Sequence, residues 1–128
     1  MRGSRIVVTG ATGNLGTSVL RALSSDDRVE SIVGIARRIP DWSVPKTTFV
    51  AADIADDDIV PLVAGADVAV HLAWRFQPTR DPVSTWNTNV VGALSVYEAV
   101  ARAGVGKARD GIVGRRLFSW PENPSRRE

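Results

Sequence analysis

Short β-branched runs alternate with helix-period stretches along the first hundred or so residues. Arg5-Ile6-Val7-Val8-Thr9 is a short β-branched run closed by Gly10, and it predicts a strand buried on both faces. From Leu15 to Leu23 the spacing turns helical, with Leu15, Val19, Leu20 and Leu23 on one face. Ser24 to Asp27 breaks that helix, and residues 31–36 form a second strand. Pro40 to Pro45 reads as a loop and Thr47 to Ala51 as a third strand. Asp56 to Ala64 predicts a short helix whose acids lie in the first turn, where they complement the dipole. Ala66 to Leu72 predicts a fourth strand. Pro78, Asp81 and Pro82 mark a loop. A long helix then runs from a cap at Ser84 to Ala103, with Val90, Leu94, Tyr97 and Ala101 as its packing face and Gly104 as its stop.

Strands alternating with helices imply an α/β fold, a parallel sheet wound by right-handed crossovers. The pattern lapses after residue 105. Gly106 to Glu128 has no sustained apolar period and contains two prolines and six bases. The sequence therefore divides into residues 1–105 and a basic tail, 106–128.

With 128 residues the chain fits one domain of ordinary size. Apolar residues at 44% and charged residues at 23% exclude a wholly disordered or fibrous chain. The absence of cysteine excludes a disulfide framework, a thiol nucleophile and a thiolate zinc site, and His71, the single histidine, excludes a histidine-cluster metal site. No metal site is expected. No apolar run approaches the roughly 20 residues of a membrane span. The N-terminus lacks a secretory pattern, so a cytoplasmic location is expected. The net charge is +2 and its excess is local, since residues 104–128 carry six bases against three acids. That tail has no aromatic interleaving beyond Phe118 and Trp120, so a solvated or disordered segment outweighs a nucleic-acid binder.

Chemistry concentrates in Thr9-Gly10-Ala11-Thr12-Gly13-Asn14-Leu15-Gly16, between the first strand and the first helix. Gly10 permits a tight turn, Gly13 lets the backbone approach a pyrophosphate, and Gly16 allows close helix–strand packing. The helix start offers unpaired amides to an anion. Strand before and helix after favour dinucleotide binding over an ordinary glycine turn.

This TGATGNLG segment resembles the TGxxGxxG signature of the extended short-chain dehydrogenase/reductases, the NAD-dependent epimerase/dehydratase group. Three further motifs follow in the family's order: Asp53-Ile54, then Asp67-Val68-Ala69-Val70-His71-Leu72-Ala73, then Asn89-Val90-Val91-Gly92-Ala93. The resemblance covers about residues 4–105 and implies a Rossmann-type doubly wound parallel sheet, truncated here after about four strands. It also implies roles. Gly10, Gly13 and Gly16, with Thr12 and the Asn14 and Leu15 amides, would cradle the pyrophosphate. Asp53 would accept a hydrogen bond from the adenine amino group, beside the Ile54 backbone. Leu72 and Ala73 would floor the nicotinamide and its ribose. His71, ending a buried strand, reads as a packed residue rather than a catalytic one.

The cofactor is NAD or NADP. An acid at the end of the second strand pairs with free ribose hydroxyls, and an arginine accommodates a 2′-phosphate. Here Ala36 precedes Arg37 and Arg38, which favours NADP. Arg37 would pair with the phosphate or stack on adenine; the competing reading is a solvated arginine pair.

The family's chemistry needs a serine or threonine after a fifth strand and a Tyr-x-x-x-Lys pair. Tyr97 is the single tyrosine, Ala101 stands four residues later, and Ser119 has no base nearby. No catalytic residue is assigned. Where a fifth strand and two serines are expected, Lys107 to Trp120 follows instead. Read one nucleotide later from Ala108, the permitted codons include Val-Met-Ala-Ser-Ser-Val-Gly-Ala-Tyr-Ser-Pro-Gly, similar to the missing segment. Only the last glycine, spanning Trp120 and Pro121, is forced. The expectation is a frameshifted tail, and the nucleotide sequence decides it.

Two functional classes remain. One is the NAD(P)-binding portion of an epimerase, dehydratase or reductase, catalytically incomplete as this chain. The other is a non-catalytic dinucleotide sensor whose tail meets a protein partner. An apolar fourth strand left at the sheet edge would favour self-association unless the tail covers it.

Overall fold

The computed structural model describes residues 3–74, 81–105, 107–112 and 115–116. Four strands, β1 (Ser4–Thr9), β2 (Val29–Ala36), β3 (Thr47–Ala51) and β4 (Val68–His71), lie parallel in the order β3-β2-β1-β4. β1 is central. It pairs with β2 up to Thr9 opposite Ile35, and with β4 from Ile6 opposite Val68 to Thr9 opposite His71. Its residues Ile6 to Thr9 are all buried, as the β-branched run predicts.

Alternating side chains supply two cores. Ile6, Val8, Ile32 and Val29 pack with Leu20 of α1 (Asn14–Ser24) on one face. Val7 and Ile35 pack with Ile54, Ile59, Val63, Val96 and Ala99 on the other. Helices thus cover both faces of the Rossmann-type sheet. α1 approaches through Gly16 and Leu20, which turns Leu15 outward, so Leu15 is exposed rather than part of the packing face.

The second helix is shorter than its pattern predicts. α2 spans only Val60–Val63, and the acids precede it. They bind turn amides instead: Asp53 N donates to Asp57 Oδ2 at 2.6 Å and Val60 N to Asp58 Oδ1 at 3.0 Å. Such local side-chain bonds compete with helical ones.

The long helix begins earlier than predicted. It comprises α3 (Pro82–Trp86), a π-helical segment Asn87–Val91, and α4 (Gly92–Ala103). Its cap is Asp81, whose Oδ1 accepts from Ser84 N at 3.0 Å; Ser84 lies inside the first turn. Its buried face also differs from the predicted one. Asn89, Gly92, Val96 and Ala99 are buried, while Leu94 is 62% exposed and Tyr97 40%. Small residues win that face because contact is close: a Cβ at Gly92 would lie 2.7 Å from Ile54 Cγ1. Gly104, at φ +67°, ends the helix as predicted.

β5 (Lys107–Ile112) then pairs parallel to β4, and β6 (Arg115–Arg116) pairs antiparallel to β5. β4 is therefore covered, and the expected open edge there does not exist. A backbone ladder needs no apolar period, which is why the sequence pattern missed β5. Ser119 and the remainder of the tail, 117–128, lie outside the described residues, as does the Pro78 loop. No described helix is long and apolar enough to cross a membrane.

Candidate functional site

The turn after β1 is built by two close backbone approaches. Gly10 sits at φ +66°, and a Cβ there would lie 2.6 Å from Ala73 N and 2.7 Å from the Leu72 carbonyl carbon. Only a residue without a side chain fits between β1 and the end of β4 in that conformation. A Cβ at Gly16 would collide with the Gly10 carbonyl oxygen and lie 2.8 Å from the Ala11 carbonyl carbon. Gly13 is different, since the nearest atom to a Cβ there is the Gly10 oxygen at 3.5 Å. Its outer side is open, as a backbone that must approach an anion requires.

Gly13 is also the N-cap of α1, in extended conformation and with no side-chain cap. The helical ladder begins with Thr17 N donating to Gly13 O at 2.8 Å. The Asn14, Leu15 and Gly16 amides precede it, so they are the donors that the start of a helix leaves over.

In front of this turn lies a cleft of about 230 Å³, at the carboxyl ends of the parallel strands. Gly10, Thr12 and Gly13 line its middle. Ile35, Ala36 and Arg37 after β2, with Ala52, Asp53 and Ile54 after β3, line one side. Leu72, Ala73 and Trp74 after β4, with Thr88 from the π segment, line the other. The structure thus gathers Gly10, Thr12, Gly13, Arg37, Asp53, Ile54, Leu72 and Ala73, eight of the sequence-predicted residues, around one cavity. Asn14, Leu15 and Gly16 stand behind it in the first turn of α1.

Thr88 and Trp74 were not among the predicted residues. Nothing in the periodicity signals a π segment, so the direction of Thr88 is not readable from spacing. Trp74 directly follows the β4 motif, and its proximity to Ala73 is the one signal that could have found it.

Local hydrogen bonds hold the walls. Asp53 is fixed by its turn: its Oδ1 accepts from Ala55 N at 2.9 Å and its carbonyl from Asp57 N at 2.8 Å. On the opposite side, buried Thr9 pins the β4 end. Its Oγ1 accepts from Leu72 N at 3.1 Å and Ala73 N at 3.4 Å, and lies 2.6 Å from His71 Nδ1. His71 is 5% exposed, and its ring stands edge-on to Tyr97 with centroids 6.1 Å apart. The expected packed role of His71 agrees with this burial; the expected packing role of Tyr97 does not extend to burial.

A Cβ at every position would crowd a pyrophosphate, and this cradle lacks one at Gly10, Gly13 and Gly16. The first turn of α1 offers backbone amide donors, which suit a pyrophosphate anion.

Comparison with known proteins gives one family. The model for the NAD dependent epimerase/dehydratase family matches residues 6–109. An uncharacterised protein of Mycobacterium tuberculosis is 38% identical over 104 residues, covering 80% of this chain and 11% of that protein. L-arabinose 1-dehydrogenase (NAD(P)(+)) of Haloferax volcanii is 35% identical over 103 residues, covering 80% of this chain and 38% of that protein. Among solved structures, a point mutant of uronate dehydrogenase from Agrobacterium tumefaciens complexed with NAD superposes with a TM-score of 0.73 at 27% identity. It covers 86% of this chain, and this chain covers 41% of it. The chain thus spans about two fifths of these dehydrogenases or less.

Proposed function

Since the chain belongs to the NAD dependent epimerase/dehydratase family, we propose that it is the dinucleotide-binding portion of such an oxidoreductase and is catalytically incomplete by itself. One observation carries this reading: a turn framed by Gly10 and Gly13 at the carboxyl end of the central parallel strand opens onto a cleft with a wall on each side. The turn and the first amides of α1 hold the pyrophosphate. Asp53 and the Ile54 backbone receive the adenine, and Leu72 and Ala73 floor the second nucleoside. The NAD-complexed uronate dehydrogenase supports the cofactor class. When bound, the nicotinamide supplies a hydride acceptor or donor; the residues of this chain bind and orient it.

Incompleteness rests on Tyr97. It is the sequence's one tyrosine, no lysine stands four residues after it, and its ring faces buried His71. Every side chain assigned to the site lies within residues 1–105.

Between the two cofactors we favour NADP. Arg37 is exposed on the cleft wall directly after Ala36, so the residue that ends β2 is not a carboxylate. Fluorescence titration with NADPH and NADH tests both levels. Saturable binding of both is expected, tighter for NADPH, with the preference lost in Arg37→Ala. No hydride transfer to sugars or sugar nucleotides is expected. Tighter binding of NADH ends the phosphate-selecting role of Arg37, and binding of neither cofactor ends the dinucleotide reading.

A further inference from the structure

α4 carries apolar residues on two sides. Val96 and Ala99 are buried in the core that also holds Val7 of β1 and Ile35 of β2. Leu94, Tyr97 and Ala101, at i, i+3 and i+7, line a second, exposed flank. Val83 and Trp86, exposed in α3, precede it. A helix that met only the sheet and water would carry polar residues there. A run of uncovered apolar side chains of this length marks an interaction surface.

Strand order places one part of the chain beside that flank. The Tyr97 ring stands edge-on to His71, while the buried side of α4 faces β1 and β2, so the flank lies over β4 on the side away from β1. β5 pairs with that side of β4, and β6 pairs with β5. β6 therefore lies two strands from β4, about 10 Å at the usual strand spacing. β6 is antiparallel to β5, so it runs in the direction that α4 takes back from the carboxyl end of β4. Residues 117–128 follow Arg116, and they can span about 40 Å when extended. Leu117, Phe118 and Trp120 open that segment, and no large apolar residue follows them.

We propose that the segment Leu117–Trp120 docks on the Leu94–Tyr97–Ala101 flank, so that the C-terminal segment braces α4 within one chain. Tethering favours this occupant over a second copy, because an attached segment meets the flank at a high effective concentration. The inference does not depend on what the cleft binds.

The chain contains no cysteine, so a pair of introduced cysteines reports the contact directly. Phe118→Cys is combined in the full chain with Leu94→Cys, and separately with Leu15→Cys, exposed on α1 across the sheet. A disulfide closes only when the two Cα atoms come within about 4–7 Å. Under mild oxidation in dilute solution, the Leu94 pair is expected to close within one molecule about tenfold faster than the Leu15 pair. Equal rates overturn the proposal, and so does a Leu94→Cys chain that links to a second copy instead. Trp120→Phe gives a second reading without touching α4. The fluorescence it removes should be blue-shifted relative to the same difference in urea, as for an indole shielded from water. A difference spectrum that matches the one in urea overturns the docking.

Discussion

Gly16 and Thr9 test the site at the scale of single residues. Gly16→Ala would drive a methyl group into the Gly10 carbonyl and Ala11, so the helix must move off the turn. Overpacking of this kind costs about 1–3 kcal/mol. Urea unfolding should show that loss, together with weaker cofactor binding; parent-like values for both would contradict the close approach. Thr9→Val removes the hydroxyl that partners buried His71 Nδ1 and accepts from Ala73 N, while Leu72 N keeps the Thr9 carbonyl at 3.1 Å. A loss of about 1–3 kcal/mol is expected in urea unfolding, with Thr9→Ser near the parent, because the cost lies in unsatisfied buried groups. Remote from the site, the Arg28 side chain hydrogen-bonds Asp26 and holds its carboxyl well below the usual carboxylate range. A depressed carboxylate contributes stability above its unfolded pKa and loses it as pH falls through the folded one. Asp26→Asn should therefore lower stability at neutral pH and remove the loss that this carboxyl contributes as pH falls below 3.8, so that parent and variant converge in acid. Of these residues the glycines were legible in the sequence, since strand, turn and helix frame them. The Thr9–His71 pair was not, because partners 62 positions apart meet only through the pairing of β1 with β4.

Elements were legible where one period ran uninterrupted. β3 matches its predicted span, and β1 and β2 start one or two residues early. The long helix was legible in existence but not in phase. Its larger apolar residues, Leu94 and Tyr97, suggested the packing face, yet Gly92 and Ala99 take it because the helix lies close to Ile54. Its cap gives a direct check. Asp81→Ala should cost about 1 kcal/mol in chemical unfolding, the usual worth of an N-cap. Ser84→Ala should stay within about 0.5 kcal/mol, since Ser84 contributes its backbone amide and not its hydroxyl to that cap. The reverse order would restore Ser84 as the cap.

For the molecule as a whole, the strand order β3-β2-β1-β4 places the first crossover reversal beside β1, where open α/β sheets bind ligands. That much followed from strand–helix alternation and the glycine turn. The pairing of β5 with β4 did not, because a ladder of backbone groups leaves little trace in a basic, aperiodic sequence. The central claim is that a dinucleotide lies across the carboxyl ends of β1, β2, β3 and β4. Amide chemical-shift mapping during titration with NAD+ or NADP+ tests it most directly. Saturable shifts should gather at residues 10–16, 36–37, 53–54 and 72–74, from Gly10 round to Trp74. Shifts that fail to saturate, or that gather at the amino ends of the strands around Gly65, would contradict it.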